Sequence, residues 1–382
     1  KPDVEQKENK KDNDEININI AQPMLPKEKA TVALPEPSFR VIPSMSEPHG
    51  GKHAVTPQKQ QPSVTGKKSA SPTLPYSDKV WQLPPMNILQ DPTNPPVDRG
   101  DVKTRAKVIE ETLNSFGVEV KIKDINYGPS VTQYALKAAT GTKIAKIVSL
   151  QHDLALALAS PTGSVRIEAP IPGKSLVGIE VPNNTRIPVS FKEILNSDVM
   201  RKSKNNLDIV LGKDVGGKAK TYNISKMPHL LVAGATGSGK SVFLHAIMGS
   251  LLFRNSPAEC KFILIDPKRV ELVAYNGIPH LLAPVVTEID KASGVFKWAV
   301  SEMMRRYNLF ESAGVRNLDA YNEKSGFQAL ANIVIIVDEL AEIMVADPAS
   351  VEKSIIRLAQ LARATGIHLI LTAQRPSTNV LT

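Results

Sequence analysis

The sequence predicts an α/β fold with a parallel sheet, preceded by a small α+β domain and a disordered linker. Three observations predict it. Proline and polar residues crowd the start of the chain, where 16 of the 29 prolines fall within the first 100 residues. Strand and helix patterns then alternate, and continuous apolar runs typical of buried parallel strands recur later in the chain. We therefore divide the chain into a linker at 1–82, a small domain at 83–205 and an α/β domain at 206–382.

The predicted linker is polar and low in complexity, as in "GGKHAVTPQKQQPSVTGKKSASPT". Such a composition cannot bury enough apolar surface to offset the entropy of ordering the chain, so we predict disorder. The segment "VWQLPPMNIL" at residues 80–89 is more apolar. We expect this segment to dock on the folded part of the chain.

The small domain begins with a helical pattern, because Val102, Ala106, Ile109 and Leu113 recur at helical spacing and Gly117 stands at the C-terminal cap position. The segments that follow predict two strands, one helix and two further strands: "VEVKIKDINYG", "VTQYALK", "KIAKIVSLQHDLALALA", "SVRIEAPIPG" and "LVGIEVP". The predicted order is α-β-β-α-β-β. Nothing in this domain resembles a catalytic cluster.

The α/β domain offers five strand candidates: "IVLG", "LLVAG", "KFILID", "NIVIIVD" and "IHLILT". Helical patterns separate them at 241–253, 291–312 and 351–365. Strands that alternate with helices predict a doubly wound sheet, whose ligands bind at the carboxyl ends of the strands.

A glycine-rich loop, "GATGSGKS", follows the strand "LLVAG" and precedes a helix. The spacing is that of a P-loop, in which glycines let the backbone N–H groups point at phosphate oxygens. The lysine reaches the β- and γ-phosphates, and the serine hydroxyl binds Mg²⁺. The predicted nucleotide-binding residues are Gly234, Ala235, Thr236, Gly237, Ser238, Gly239, Lys240 and Ser241.

An acidic pair, Asp338 and Glu339, ends the buried strand "NIVIIVD". Asp338 in that position orients Mg²⁺ through water, together with Ser241, and Glu339 acts as the general base that polarises the attacking water. The alternative for Asp338 is a helix cap. No Asn/Thr-Lys-x-Asp element for guanine follows, so we predict ATP and Mg²⁺ as the ligands.

Two further residues are candidates for catalysis. Gln374 faces the γ-phosphate and senses it if its strand lies between the P-loop strand and the strand of Asp338; otherwise it is a turn-forming amide. Arg363 either reaches a neighbouring subunit's site as an arginine finger or serves as a cation at the end of a helix. We also place Asp266, Lys268 and Arg269 at another strand's carboxyl end, on the same edge of the sheet.

Composition narrows the class of protein. The formal net charge of +9 suits a phosphate-rich partner, although a solvated basic surface is the alternative. The single cysteine, Cys260, excludes a disulfide framework within the chain. No apolar run reaches the ~18 residues of a membrane helix, so we expect this sequence to be soluble. An ABC transporter ATPase is not indicated, because no LSGGQ-like signature lies between Ser241 and Asp338.

The set of motifs resembles the FtsK/SpoIIIE family of bacterial DNA translocases. The motor-domain motifs are "MPHLLVAGATGSGKSV", "ILIDPKRVEL", "YNGIPHLLAPVVT", "EMMRRYNLF", "VRNLDAYN", "IIVDELAEIM" and "LARATGIHLILTAQRPS", and "YGPSVTQYAL" and "VRIEAPIPGK" resemble the family's α domain. The resemblance covers about residues 83–382. It implies a RecA-like motor domain whose fifth strand lies downstream of Thr382, which leaves the P-loop strand at a sheet edge.

The resemblance also implies an ATPase that assembles as a homo-hexamer and moves double-stranded DNA during cell division or sporulation. A membrane anchor, joined by the linker, would hold the motor at the cytoplasmic face of the bacterial inner membrane. No small-molecule substrate other than ATP is implied. Lys240 and Ser241 match the family's Walker A pair, Asp338 and Glu339 its Walker B pair, and Gln374 its sensor position. Two alternatives stay open: a related ring ATPase for conjugation or secretion, and a nucleotide-binding switch without turnover.

Overall fold

The computed structural model describes residues 17–19, 81–93 and 95–375. Almost all of the predicted linker at 1–82 lies outside the described residues. The strands are β1 (Asn17–Asn19), β2 (Val120–Tyr127), β3 (Val131–Ala138), β4 (Arg166–Glu168), β5 (Val177–Pro182), β6 (Asp208–Lys213), β7 (Ala219–Asn223), β8 (His229–Ala233), β9 (Cys260–Ile265), β10 (Asn332–Val337) and β11 (Ile367–Ala373). The helices are α1 (Val102–Ser115), α2 (Ile144–Ser149), α3 (Gln151–Ala157), α4 (Phe191–Leu195), α5 (Asp198–Lys202), α6 (Lys240–Leu252), α7 (Ile289–Ala313), α8 (Leu318–Ser325), α9 (Leu340–Ala346) and α10 (Pro348–Leu361).

The small α+β domain is confirmed. Its sheet has the order β1-β2-β3-β5-β4, and α1 and α3 cover one face. Asp101 caps α1 by accepting hydrogen bonds from the N–H groups of Lys103 and Thr104. The single helix predicted after β3 is two helices, because the chain leaves the helical path at Leu150 between α2 and α3. The order is otherwise the predicted one.

The docking predicted for residues 80–89 is found in their described part, 81–89. The Trp81 ring lies edge-on to His280, with 5.2 Å between ring centroids. Met86 and Leu89 pack against a buried cluster formed by Ile194, Leu195, Met200 and Val210. The stretch is thus held by two partly buried side chains and one ring contact, while Leu83 and Ile88 stay exposed.

One predicted strand is not part of the parallel sheet. The segment "IVLG" lies in β6, which pairs antiparallel with β7 in a separate hairpin. A short apolar run fits a parallel or an antiparallel strand equally well, and its partner decides. The helices α4 and α5 pack against this hairpin. The predicted domain boundary between residues 205 and 206 therefore stays a prediction, since elements on both sides of it share one cluster.

The predicted parallel sheet is confirmed, with the order β8-β11-β10-β9. Ile335 points into a core with α7, α9 and α10, and its neighbour Ile336 points into the opposite core with α6. Each such fully buried side chain stabilises the fold by about 1.5–3 kcal/mol. β8, which precedes the glycine-rich loop, is an edge strand among the described residues. No helix in this part of the chain is long and apolar enough to cross a bilayer.

A glycine fixes the turn that leads into the central strand β11. Gly366 has φ +69°, and a Cβ there would overlap the Leu318 side chain and lie 2.9 Å from Asn332 Oδ1. We expect Gly366→Ala to lower the free energy of unfolding by about 1–3 kcal/mol, because strain and overlap add. Chemical denaturation measures the change.

Gly141 supplies the matched control, since its φ is +91° and its Cβ would meet open space. Gly141→Ala should cost about 1 kcal/mol or less, from backbone strain alone. Equal losses for the two variants would contradict the role of packing at Gly366.

Candidate functional site

The loop that follows β8 curls in the manner its glycines permit. Gly237 has φ +79° and Gly239 has φ +97°, both in the left-handed region. Gly234 donates its N–H to the carbonyl of Ala373 at 3.1 Å, and a Cβ at Gly234 would overlap the Ser238 side chain. The loop then enters α6 at Lys240, so that the N-terminus of this helix follows directly on the loop.

The Lys240 ammonium reaches the carboxyl end of β10. Its Nζ donates to the Asp338 carbonyl at 2.8 Å and lies 3.5 Å from both Asp338 Oδ1 and Glu339 Oε2. The lysine side chain is 11% exposed and the two acids 3% and 4%. Predicted nucleotide-binding and catalytic residues that are 98 positions apart in sequence are therefore in contact.

Two buried carboxylates lie at neighbouring strand ends. Asp266 follows β9 and Asp338 follows β10, where Ile265 and Val337 are register partners. Both side chains are buried, and Oδ1 of each has no hydrogen-bond partner. Burial raises the pKa of Asp338 above its ordinary value, the Lys240 charge opposes the rise, and Asp266 adds to it. The site thus holds two desolvated oxygens without a hydrogen bond, and that of Asp338 faces the Lys240 ammonium at 3.5 Å.

Glu339 is the meeting point of three groups. Its Oε2 lies 3.5 Å from Lys240 Nζ and 3.5 Å from Lys268 Nζ, and its Oε1 accepts the Gln374 backbone N–H at 3.2 Å. β11 lies between β8 and β10, as the prediction for Gln374 required. The Gln374 side chain is exposed at the carboxyl end of β11. Thr372 also donates its hydroxyl to the Asp338 carbonyl.

The Ser241 hydroxyl has an acidic partner that the sequence did not indicate. Ser241 Oγ donates to Glu271 Oε1 at 2.6 Å, and the other carboxylate oxygen lies 3.4 Å from His245 Nε2. Glu271 stands five residues after Asp266, whose Oδ2 accepts the Glu271 N–H at 3.0 Å. The spacing D-x-x-x-x-E after an apolar strand is the only sequence signal for this residue, and it is a weak one.

Arg363 lies near the amino end of β11, whereas the loop of Lys240 lies at the carboxyl ends of the strands. It belongs to the 3₁₀ turn Ala362–Thr365, which precedes the amino end of β11, and its side chain is exposed. Together with Arg316 and His368 it lines a cavity of about 500 Å³. Because the strands are parallel, this cavity and the loop of Lys240 lie at opposite ends of β11. Arg363 cannot act on the loop of its own chain.

The donor set fits Mg²⁺ bound together with a nucleotide. The available protein ligands are hard oxygens: the Ser241 hydroxyl and Oδ1 of Asp338, which makes no hydrogen bond. Mg²⁺ takes one or two such ligands and completes its octahedron with water and substrate phosphates. Within the described residues, no group of three or more His, Cys, Asp or Glu side chains forms a cation cage.

Two parts of the chain match models of known protein families. Residues 190–378, which contain the glycine-rich loop and the acidic pair, match the model described as "FtsK/SpoIIIE family". Residues 83–183 match the model described as "FtsK alpha domain". The chain belongs to the FtsK/SpoIIIE family.

Relatives in the FtsK/SpoIIIE family are similar over most of this chain. The DNA translocase FtsK of Caldanaerobacter subterraneus subsp. tengcongensis is 53% identical over 300 residues, which cover 78% of this chain and 42% of that protein. The DNA translocase SpoIIIE of Bacillus subtilis is 47% identical over 337 residues, which cover 84% of this chain and 43% of that protein. The chain therefore spans about two fifths of the length of these relatives.

A solved structure is also similar to this FtsK/SpoIIIE chain: the monomer of the pCW3 conjugation coupling protein TcpA with ATPγS. It has 25% sequence identity and a TM-score of 0.46, and the similarity covers 73% of this chain and 79% of that one.

The raised pKa of Asp338 predicts that its charged form costs stability at neutral pH. Its folded-state pKa is raised above 3.8, so the charged form costs stability above the folded pKa, and this cost vanishes as the pH falls through that pKa towards 3.8. We expect Asp338→Asn to raise the Tm without nucleotide at about pH 7.5, and the gain to shrink in acid. Thermal unfolding over a pH series measures it.

Asp91→Asn is the control, because the Asp91 side chain is 90% exposed and pairs only with Lys192. Its Tm should follow that of the original sequence throughout the pH series. A gain for Asp338→Asn that grew in acid would contradict the assigned sign.

Proposed function

We propose that this chain is the motor part of an ATPase that translocates double-stranded DNA. The observation that carries the proposal is the contact of Lys240 with Asp338 and Glu339, which joins a phosphate-binding loop to a buried acid pair. A protein that only bound nucleotide would need the loop but no positioned base. Membership of the FtsK/SpoIIIE family supports DNA as the cargo.

The loop residues bind the nucleotide in this proposal. The N-terminus of α6 and the backbone N–H groups of residues 234–241, other than those of Gly234 and Ser238, which bond to backbone carbonyls, hold the phosphate oxygens of ATP. Lys240 pairs with the β- and γ-phosphates, and Ser241 and Asp338 provide oxygens for Mg²⁺, Asp338 through water. When bound, Mg²⁺ would neutralise phosphate charge.

Glu339 acts as the general base. The ammonium groups of Lys240 and Lys268 hold its carboxylate. A phosphate group competes with Glu339 for Lys240, which frees the Glu339 carboxylate to hold the attacking water. Glu339 then accepts the proton of the attacking water.

Gln374 links the base to the end of the central strand. Its N–H holds Glu339 Oε1 at 3.2 Å, so a movement of the carboxylate changes the backbone contact at the end of β11. We assign Gln374 the role of a sensor of the γ-phosphate on this basis. The residues that follow 375 continue from this point, outside the described part of the chain.

The wider assembly is proposed from the family. A homo-hexameric ring would surround the duplex, and an anchor elsewhere in the whole protein would hold the motor at the cytoplasmic face of the bacterial inner membrane. The net charge of +9 favours contact with DNA phosphates. A motor that passes over any sequence should contact mainly the DNA backbone.

The test is ATP hydrolysis with and without duplex DNA. We expect DNA to stimulate turnover, with a steep loss as salt rises, because phosphate contacts release counterions. Glu339→Gln should bind ATP but hydrolyse it about 10²–10⁴-fold more slowly, because the general base is lost. Colorimetric phosphate release and nucleotide binding measure the two steps.

Glu288→Gln is the control, since Glu288 is exposed and pairs with Lys291 at the start of α7. This variant should keep the original rate. Turnover that ignores DNA would remove the translocase proposal, and unchanged turnover in Glu339→Gln would remove the base assignment alone.

Arg363 is proposed to complete the site of a neighbouring subunit. A mixture of Lys240→Ala and Arg363→Ala chains tests this, because each variant supplies what the other lacks. Each alone should lose roughly 10³-fold in turnover, and mixed rings should regain activity at interfaces that join an intact loop to an intact arginine. ATPase assays on mixtures of varied ratio measure the recovery.

The other interpretation of Arg363, a cation at a helix end, has a different signature. Arg363→Ala alone would then keep its turnover and lose only about 0.3–1 kcal/mol of stability. Mixing would have no effect on activity.

A further inference from the structure

The hydroxyl of the P-loop serine is held by a carboxylate outside the loop. Ser241 Oγ donates its proton to Glu271 Oε1 at 2.6 Å. A hydroxyl has one proton and two lone pairs, so fixing the proton also fixes where the lone pairs point. With the proton on the side of Glu271, the lone pairs are free for a cation on another side. The short distance marks a charge-assisted hydrogen bond.

Glu271 is held in two ways, through the backbone of its turn and through its carboxylate. Its backbone N–H and that of Leu272 donate to Asp266 Oδ2 at 3.0 and 2.9 Å, which anchors the turn to the end of β9. Arg269 within this turn has φ +59°, a conformation that a non-glycine residue adopts only where its surroundings impose it. The turn is thus shaped around Asp266, and it projects Glu271 at the loop.

The carboxylate is held from α6. His245 is four residues after Ser241, so both side chains lie on one face of the helix. His245 Nε2 lies 3.4 Å from Glu271 Oε2, and Nδ1 lies 2.9 Å from the Tyr275 hydroxyl. The tautomer with the proton on Nε2 satisfies both contacts, because Nε2–H then faces the carboxylate and Nδ1 accepts from Tyr275. Each oxygen of Glu271 has its own partner.

The geometry points to Glu271 as a positioning residue of the nucleotide site: it holds the Ser241 proton and so aims the hydroxyl oxygen at the Mg²⁺ of a bound Mg²⁺–nucleotide. This inference rests on the proposed nucleotide site. Removal of a group that orients a metal ligand in this way lowers the metal affinity about 10–100-fold. His245 contacts the other carboxylate oxygen of Glu271, and the Tyr275 hydroxyl contacts His245.

A purely structural role is the competing explanation, and binding thermodynamics separates the two. The probe is ATPγS, titrated calorimetrically with excess Mg²⁺ and with EDTA. For the original sequence we expect tighter binding with Mg²⁺; the ratio of the two affinities is the Mg²⁺ gain. Glu271→Ala should lower this gain about 10–100-fold and change the EDTA affinity little. A structural defect would weaken binding in both conditions.

Glu271→Gln keeps the shape of the side chain and an acceptor oxygen but removes the charge. We expect it to lose roughly three- to ten-fold of the gain, because a neutral acceptor holds the hydroxyl more weakly. This variant serves if Glu271→Ala does not fold. The matched control is Glu193→Ala. Glu193 lies in α4, is similarly exposed, 31% against 28% for Glu271, and pairs with Lys213 of β6. The control should keep the full gain.

A double variant decides whether Glu271 acts through the hydroxyl. In Ser241→Ala the gain is already reduced, so adding Glu271→Ala should change it by less than about two-fold, since coupled residues are not additive. A further ten-fold loss would mean that Glu271 acts on the cation directly, which overturns the positioning role. A full gain in Glu271→Ala, or a larger one, overturns it as well. Absence of ATPγS binding by the original sequence would instead overturn the proposed function.

Discussion

The ammonium group of Lys240 is the interaction on which the site depends. It lies against two carboxylates, Asp338 and Glu339, whose side chains are almost completely buried. Desolvated charges of one sign cannot be kept together without a compensating charge, because the cost of removing each from water is several kcal/mol. The fold therefore has to deliver one lysine from the start of α6 and two acids from the end of β10 to one point. Parallel strands in register do this, since all their carboxyl ends meet at one edge.

The same crowding of buried acids leaves two carboxylate oxygens of the site without hydrogen bonds. Oδ1 of Asp266 makes no hydrogen bond, and a buried oxygen left in that state costs about 1–3 kcal/mol; Oδ1 of Asp338 also makes none, although the Lys240 ammonium lies 3.5 Å away and offsets part of the cost. A fold tolerates such a cost where a ligand removes it. Buried clusters on both faces of the sheet hold the strands in place.

Much of the fold and part of the site could be predicted from the sequence, for physical reasons that differ between elements. The loop of Lys240 is a local structure, dictated by glycines at fixed spacing, and the buried strand before Asp338 is visible as an apolar run. The sequence did not indicate the pairing of β6 with β7, because a short apolar run does not specify its partner. Glu271 was missed because its placement depends on a turn in which Arg269 adopts a conformation that its side chain disfavours. Contacts that depend on distant register or on such turns are not encoded in local periodicity.

The central strand β11 has a property that follows from its position. It is buried along its whole length, has Arg363 just before one end and Gln374 just after the other, and is hydrogen-bonded on both sides. Seven residues of extended chain span about 23 Å. β10 pairs with residues 367–371 of this strand and β8 with residues 369–373, so the middle of β11 cannot shift without breaking two ladders. The turn of Arg363 and the end where Gln374 holds Glu339 are therefore joined by one short, fully buried segment of backbone.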